Sequence, residues 1–270
     1  MLLGASGASA EGGETSLRAA LDLGPEDRLR PFSADRPNRT FSTTTIDVGR
    51  FQIEADLANL VFDSSKQTRT YSLGSPVLRF GITENAELQV GSNMFTRLKQ
   101  GDTSEVDSAT IHGFGGSFIA SKVNVFGNDG GDRSMALVGT LRLPTGSRGL
   151  GPDGVEASFD LPFTTTLGSP DWRLTLQPHL SLLRDDLGSG YRMHTGAAAQ
   201  LEYALTRTLT LGAELATYVW REPRLSSSTS LDLSVSWMTS ANTQLDVAVH
   251  IGLDARTPYA NPYLGISHRF

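Results

Sequence analysis

The sequence predicts an all-β protein, a transmembrane antiparallel up-and-down β-barrel of about twelve strands. Three observations point there. Apolar and polar side chains alternate along segment after segment, those segments are longer than ordinary soluble strands, and the connections between them are tight and long by turns.

The alternation begins near Arg50, where Phe51, Ile53, Ala55 and Leu57 share one face and Gln52, Glu54 and Asp56 the other. It is clearest late in the chain. Leu209, Leu211, Ala213, Leu215 and Val219 alternate with Thr210, Gly212, Glu214 and Tyr218, and Leu245, Val247, Val249 and Ile251 alternate with Asp246, Ala248 and His250. Trp172, Leu174, Leu176, Leu180 and Leu182 likewise oppose Arg173, Thr175, Gln177 and His179. In a packed soluble core the apolar row would be rich in Phe, Ile and Leu. Here it mixes Leu and Val with Ala, Thr and Gly, and Tyr191, Tyr203, Trp172 and Trp237 sit near strand ends as interfacial girdles do.

Strands are expected at 50–62, 69–82, 86–97, 109–125, 134–145, 155–167, 171–183, 191–205, 208–220, 229–239, 243–253 and 261–270. A tilted strand needs roughly 9 to 11 residues to cross hydrocarbon, whereas soluble strands average about 5 to 6. Tight turns at 83–85, 168–170, 206–207 and 240–242, with 128–132 slightly longer, alternate with longer, charged loops at 98–108, 146–154, 184–190, 221–228 and 254–260. Outer-membrane barrels show this asymmetry, with the tight turns periplasmic. The expected location is therefore the cell outer membrane.

Before the first strand the period is absent. Ala8-Ser9-Ala10 fits the small-x-small rule for export cleavage, so residues 1–10 read as the remnant of a signal peptide. Residues 11–47, punctuated by Pro25, Pro31 and Pro37, read as a periplasmic segment, and 48–270 as the barrel. The chain ends on a strand closing with Phe270, in phase with Leu264 and Ile266, the kind of terminal strand that barrel-assembly machinery reads.

Composition sets limits. No run of residues approaches the roughly 18 to 20 apolar positions of a membrane helix. The 270 residues include no cysteine, which excludes disulfides and thiolate metal sites, and the net charge of −6 argues against nucleic acid as a partner.

Several short motifs resemble one family. Asp35-Arg36-Pro37-Asn38-Arg39, then Val48-Gly49-Arg50-Phe51-Gln52-Ile53-Glu54, is similar to the opening of the outer-membrane transporters assigned to the meta-cleavage (MetA) pathway of phenol degradation. Phe80 to Leu88, Leu141-Arg142-Leu143-Pro144-Thr145-Gly146 and Leu201 to Thr206 resemble later parts of it, so the likeness spans most of 34–270. The resemblance implies a monomeric barrel that takes up or passes small solutes, aromatic ones among them. It carries no functional residues over.

Candidate site residues come from the polar row. Glu54, Asp56, Arg142, Arg173, Arg192, Glu202, Glu214 and Asp246 are expected to line the lumen, with the three arginines facing Glu202 and Glu214 across a constriction. Ion pairing that merely plugs the lumen is the alternative. Arg36 could also clamp a lumenal carboxylate such as Glu54. His112, His179, His194 and His250 share the inner face, but no pair has metal-ligand spacing, so neither metal nor cofactor is expected. His179 and Ser181 have the His-x-Ser spacing of an outer-membrane phospholipase, a lesser alternative. They lie on the inward row, and Leu182-Leu183 follow where that pattern has Asn-Gly, so no enzyme is expected. Outer-membrane lipid is the expected partner of the apolar row. Charged loop residues such as Asp102, Glu105, Asp107, Asp153, Asp185 and Asp186 read first as solvated turn residues, with contact to lipopolysaccharide through divalent ions as the alternative.

Overall fold

The computed structural model describes residues 29–101, 109–184, 190–222 and 224–270. The expected signal remnant, 1–10, and the loop carboxylates Asp102, Glu105, Asp107, Asp185 and Asp186 lie outside the described residues.

The strands are β1 (Phe51–Asp63), β2 (Thr68–Leu73), β3 (Ser75–Thr83), β4 (Ala86–Ser92), β5 (Phe95–Gln100), β6 (Ala109–Gly113), β7 (Ser117–Phe126) and β8 (Arg133–Leu143). They continue as β9 (Glu156–Asp160), β10 (Phe163–Leu167), β11 (Ser169–Arg184), β12 (Tyr191–Ala204), β13 (Leu209–Glu222), β14 (Arg224–Ser240), β15 (Thr243–Gly252) and β16 (Ala260–Arg269). Each pairs antiparallel with its neighbour, and β16 returns to β1, with Gln52 opposite Arg269 and Asp56 opposite Gly265. The sheet therefore closes, and its end strands satisfy each other's backbone.

Sixteen segments make twelve staves because four expected strands are interrupted. The breaks fall at Gly74, at Asn93-Met94, at 114–116 and at Leu161-Pro162. Gly74 and Gly116 have φ of 63° and 102°, values that glycine tolerates and β-branched residues do not. Pro162 cannot donate to a ladder. One loop expectation is corrected: 221–228 is mostly strand, because Arg221 to Thr217 pair with Leu225 to Thr229 in a continuous hairpin.

Burial is inverted relative to a soluble protein. The largest fully buried side chains include Arg79, Lys122, Gln52, Gln177, Glu54, Glu87 and Glu214. Leu78, Leu88, Leu176, Leu211, Leu215, Val247 and Leu264 are exposed on the outer wall. A wall apolar outside and charged inside is stable only where the outside solvent is lipid, since every strand's backbone is already paired. Aromatic pairs mark the rim that carries the tight turns: Trp172 lies 4.5 Å from Tyr203, and Phe51 stacks on Phe270 at 4.6 Å. Phe62 and Tyr259 meet at 5.9 Å toward the other rim.

Candidate functional site

The described part of the N-terminal segment lies inside the barrel, which corrects the periplasmic placement expected for residues up to 47. It enters beside Asp129 and Arg269, at the end bearing the tight turns, and its Arg30 nitrogen Nε donates to Asp129 Oδ1 at 2.6 Å. It then runs round the inner wall. Arg36 reaches β1 and β15, Asn38 and Arg39 reach β14, Thr40 reaches β12 and β13, Phe41 reaches β11, and Thr43 reaches β7 and β8. Ile46 donates its N–H to Glu87 Oε2 at 2.8 Å, and Gly49 joins the wall at Gly81 at 2.9 Å. A Cβ at Gly81 would overlap the Asp47 carbonyl, so the absent side chain lets the segment merge into the sheet.

Two ionic clusters hold it. The first surrounds Arg79, which donates to Glu54 at 2.6 Å and to both oxygens of Glu87 at 2.8 and 2.9 Å. Asp35 adds to it, accepting from Lys122 Nζ and from Gln89 Nε2. Burial alone would raise the Asp35 pKa, but Arg79 and Lys122 beside it hold the carboxyl well below the ordinary carboxylate range. The Asp35 N–H in turn donates to Glu54, at 3.1 and 3.2 Å.

The second cluster is an arc across β13, β14, β15, β16 and β1. Arg36 pairs with Asp246 at 2.8 Å and with Asp56, and its guanidinium lies 5.5 Å from the Tyr263 ring centre. Burial opposes the Arg36 charge, yet Asp246 and Asp56 raise its pKa above the usual guanidinium value. Arg39 Nε donates to Asp232 Oδ2 at 2.9 Å, and His250 Nδ1 lies 2.6 Å from the same oxygen. Glu214 accepts from the N–H groups of Arg39 and Thr40, at 3.1 and 2.9 Å, and from the Thr40 hydroxyl at 2.8 Å.

The predicted residues are thus all on lumenal rows, but the expected constriction is rearranged. Arg142 bonds Glu156 at 2.8 Å and Arg173 lies 3.4 Å from Glu202, each with its register partner on the adjoining strand. Both arginine side chains are about half exposed, at 54%. Arg192, on β12, stands opposite Leu183 of β11. Glu214 is taken by the segment, so the three arginines do not face it across a gap. Arg36 clamps Asp56 and Asp246 rather than Glu54, which belongs to Arg79.

The cations missed from the sequence include Arg79, Lys122, Arg39 and Arg269. Arg79 was readable: Leu78, Phe80 and Ile82 alternate outward around it, as Ile119, Val123 and Val125 do around Lys122. His179 Nδ1 lies 2.7 Å from Asp160 Oδ1, and no described hydrogen bond joins its ring to Ser181. His194 stacks on Trp220 at 5.0 Å, and His112 lies beside Phe95 toward the long-loop end. Among the described residues, no group of three or more His, Asp or Glu side chains is arranged to hold a metal ion.

Between the segment and the wall lies a cavity of about 250 Å³, lined by Thr164, Thr175, Gln200 and Gln244 on the wall and by Asn38 and Thr40 on the segment. It lies toward the tight-turn end.

Residues 34–270 match the pattern of a protein family described as putative MetA-pathway of phenol degradation. The chain belongs to that family. The match starts inside the lumen, so the inserted segment is part of the family's pattern along with the wall. Among solved structures, the COG4313 outer membrane channel from Pseudomonas putida F1 is similar at a TM-score of 0.64 and 14% identity, covering 87% of this chain and all of that one. The NanC porin (TM-score 0.53, 7% identity) covers 81% of this chain and 98% of its own, and the KdgM porin (0.52, 10%) covers 82% and 99%. No curated protein matches. At these identities the likeness is one of fold, a closed outer-membrane barrel of twelve staves.

Proposed function

We propose that the barrel passes small solutes, aromatic ones among them, across the outer membrane by a route that skirts the inserted segment. The observation that carries this is the cavity of about 250 Å³ beside the segment, lined by hydroxyl and amide groups together with Arg36, Arg173 and Glu202. Membership in a phenol-degradation family supports the aromatic class, and the channel and porins of similar fold support passage. A catalytic role fits poorly. His179 and Ser181 face the lumen while a bilayer ester would meet the outer wall. Lipid contacts the apolar face, lipopolysaccharide the long-loop rim, and assembly machinery the strand ending at Phe270, which completes the seam on Phe51.

A closed lumen is the second reading, favoured by the pairing of Arg36, Arg39, Arg79 and Lys122 with carboxylates. Liposome swelling separates the two. Vesicles carrying the folded barrel should admit small sugars, benzoate or phenol faster than protein-free vesicles. Rates equal to the protein-free control for every solute select the closed barrel.

A further inference from the structure

The two clusters differ in where their positive charge comes from. Around Arg79 the wall supplies its own: Arg79 and Lys122 are strand residues, set against Glu54 and Glu87. On the arc, four lumenal carboxylates occupy β13 (Glu214), β14 (Asp232), β15 (Asp246) and, across β16, β1 (Asp56). Their arginine partners, Arg36 and Arg39, both belong to the segment. The wall groups facing them are His250 against Asp232, the Tyr263 ring under Arg36, and Tyr218 near Arg39. Arg269, the lumenal arginine of β16, lies at the tight-turn end and is committed to Asn242, the Arg30 carbonyl and Asp47.

The socket for Arg36 is built into the register. Asp246 and Asp56 both stand opposite Gly265, one on each side, and a Cβ there would overlap the guanidinium. Only bare backbone leaves room for a cation flush with the wall between two carboxylates.

We propose that Arg36 and Arg39 are tethered counter-ions that determine the ionic preference of the lumen, so that a barrel lacking their charge is a cation-selective pore. The inference rests on the reading of the barrel as a passage and names the residues that set its selectivity. A low-dielectric wall carrying charge of one sign concentrates the opposite ion. With both guanidiniums neutralised, Glu214, Asp232, Asp246 and Asp56 become such a wall on one side of the lumen. The Arg79 cluster on β1, β3, β4 and β7 stays close to balance, because Asp35 is its one charged side chain from the segment.

The test is the reversal potential in planar bilayers under a KCl gradient, on protein shown to be folded by heat-modifiable migration. R36Q/R39Q should raise the K⁺ over Cl⁻ permeability ratio by about tenfold relative to wild type, the low end of the counter-ion enrichment such a cleft produces. D232N/D246N should move the ratio the other way, because it cuts the four carboxylates of the arc to two against the same two arginines and removes its excess negative charge, and this arm decides alone if R36Q/R39Q does not fold. Unchanged ratios in folded protein, or two shifts of the same sign, overturn the proposal, as does absence of current from every folded variant. A silent wild type beside a K⁺-selective R36Q/R39Q would refute passage in the native state and leave this assignment standing.

Discussion

Arg36 and Gly265 share one volume: the guanidinium of the inserted segment rests where any other residue of β16 would place its side chain. The contact ties a residue before the first strand to one in the last, across nearly the whole sequence. Gly265→Ala should therefore dislodge Arg36 from Asp56 and Asp246. Overpacking of this kind costs about 1–3 kcal/mol, read as a lower urea midpoint with unchanged slope. Because the chain contains no cysteine, Asn38→Cys supplies a clean probe of the segment, alone or combined with Gly265→Ala. Its reaction with a hydrophilic maleimide should be faster in the double variant than in the single one, and equal rates would mean that the socket does not hold the segment.

Arg79 is fully buried between Glu54 and Glu87 and also lies 3.6 Å from Asp35. Arg79→Met leaves those carboxylates facing one another with Lys122 as their remaining strand-borne cation. Breaking a buried ionic cluster by removing one partner costs about 3–5 kcal/mol. Unfolding in urea of the barrel refolded into vesicles measures it. A loss below about 1 kcal/mol would place Arg79 with exposed surface pairs.

Asp35 gives the stability a pH dependence of known sign. Its carboxyl is held below the ordinary range in the folded barrel and titrates near 3.9 when unfolded, so its contribution is complete above that value and fades as pH falls through it. The stability gap between wild type and Asp35→Asn, measured by urea midpoint, should be widest near pH 6 and narrow by about pH 3. A gap that widens on acidification would contradict the ion pairing with Arg79 and Lys122.

Leu215 stands half exposed at the middle of β13, where the outer wall meets the bilayer centre. Leu215→Arg should cost about 2–4 kcal/mol, and Leu253→Arg, beyond the end of β15, about 0–1 kcal/mol. Equal costs in vesicle-refolded protein would mean that the outer wall does not span hydrocarbon.

Much of this fold is written in a period of two. The rows Leu209–Leu211–Ala213–Leu215 and Glu214–Asp246–Asp56 state which side meets lipid, because alternate side chains of a strand must point to opposite faces. The order of tight and long connections states which end is which. The interruptions at Gly74 and Pro162 were legible as residues but not as breaks, since whether a strand kinks depends on what packs against it.

The inserted segment could not be read the same way. Asp35-Arg36-Pro37-Asn38-Arg39 has no period, and a stretch without one looks alike whether it lies in water or in a polar lumen. One trace was present: the carboxylates of β1 and β13 to β15 outnumber the bases on those lumenal rows, and a buried charge needs a partner from somewhere.

By itself, then, the sequence determined the closed barrel, its outward greasy row and its inward charged row, because those follow from local alternation and strand length. Tertiary structure alone decided which charges meet. Arg36 reaches Asp246 because the segment is inserted into the closed barrel, and Arg79 reaches Glu54 because β3 pairs with β1 in a register that sets the two side chains within about 3 Å, the reach of a charge-assisted hydrogen bond.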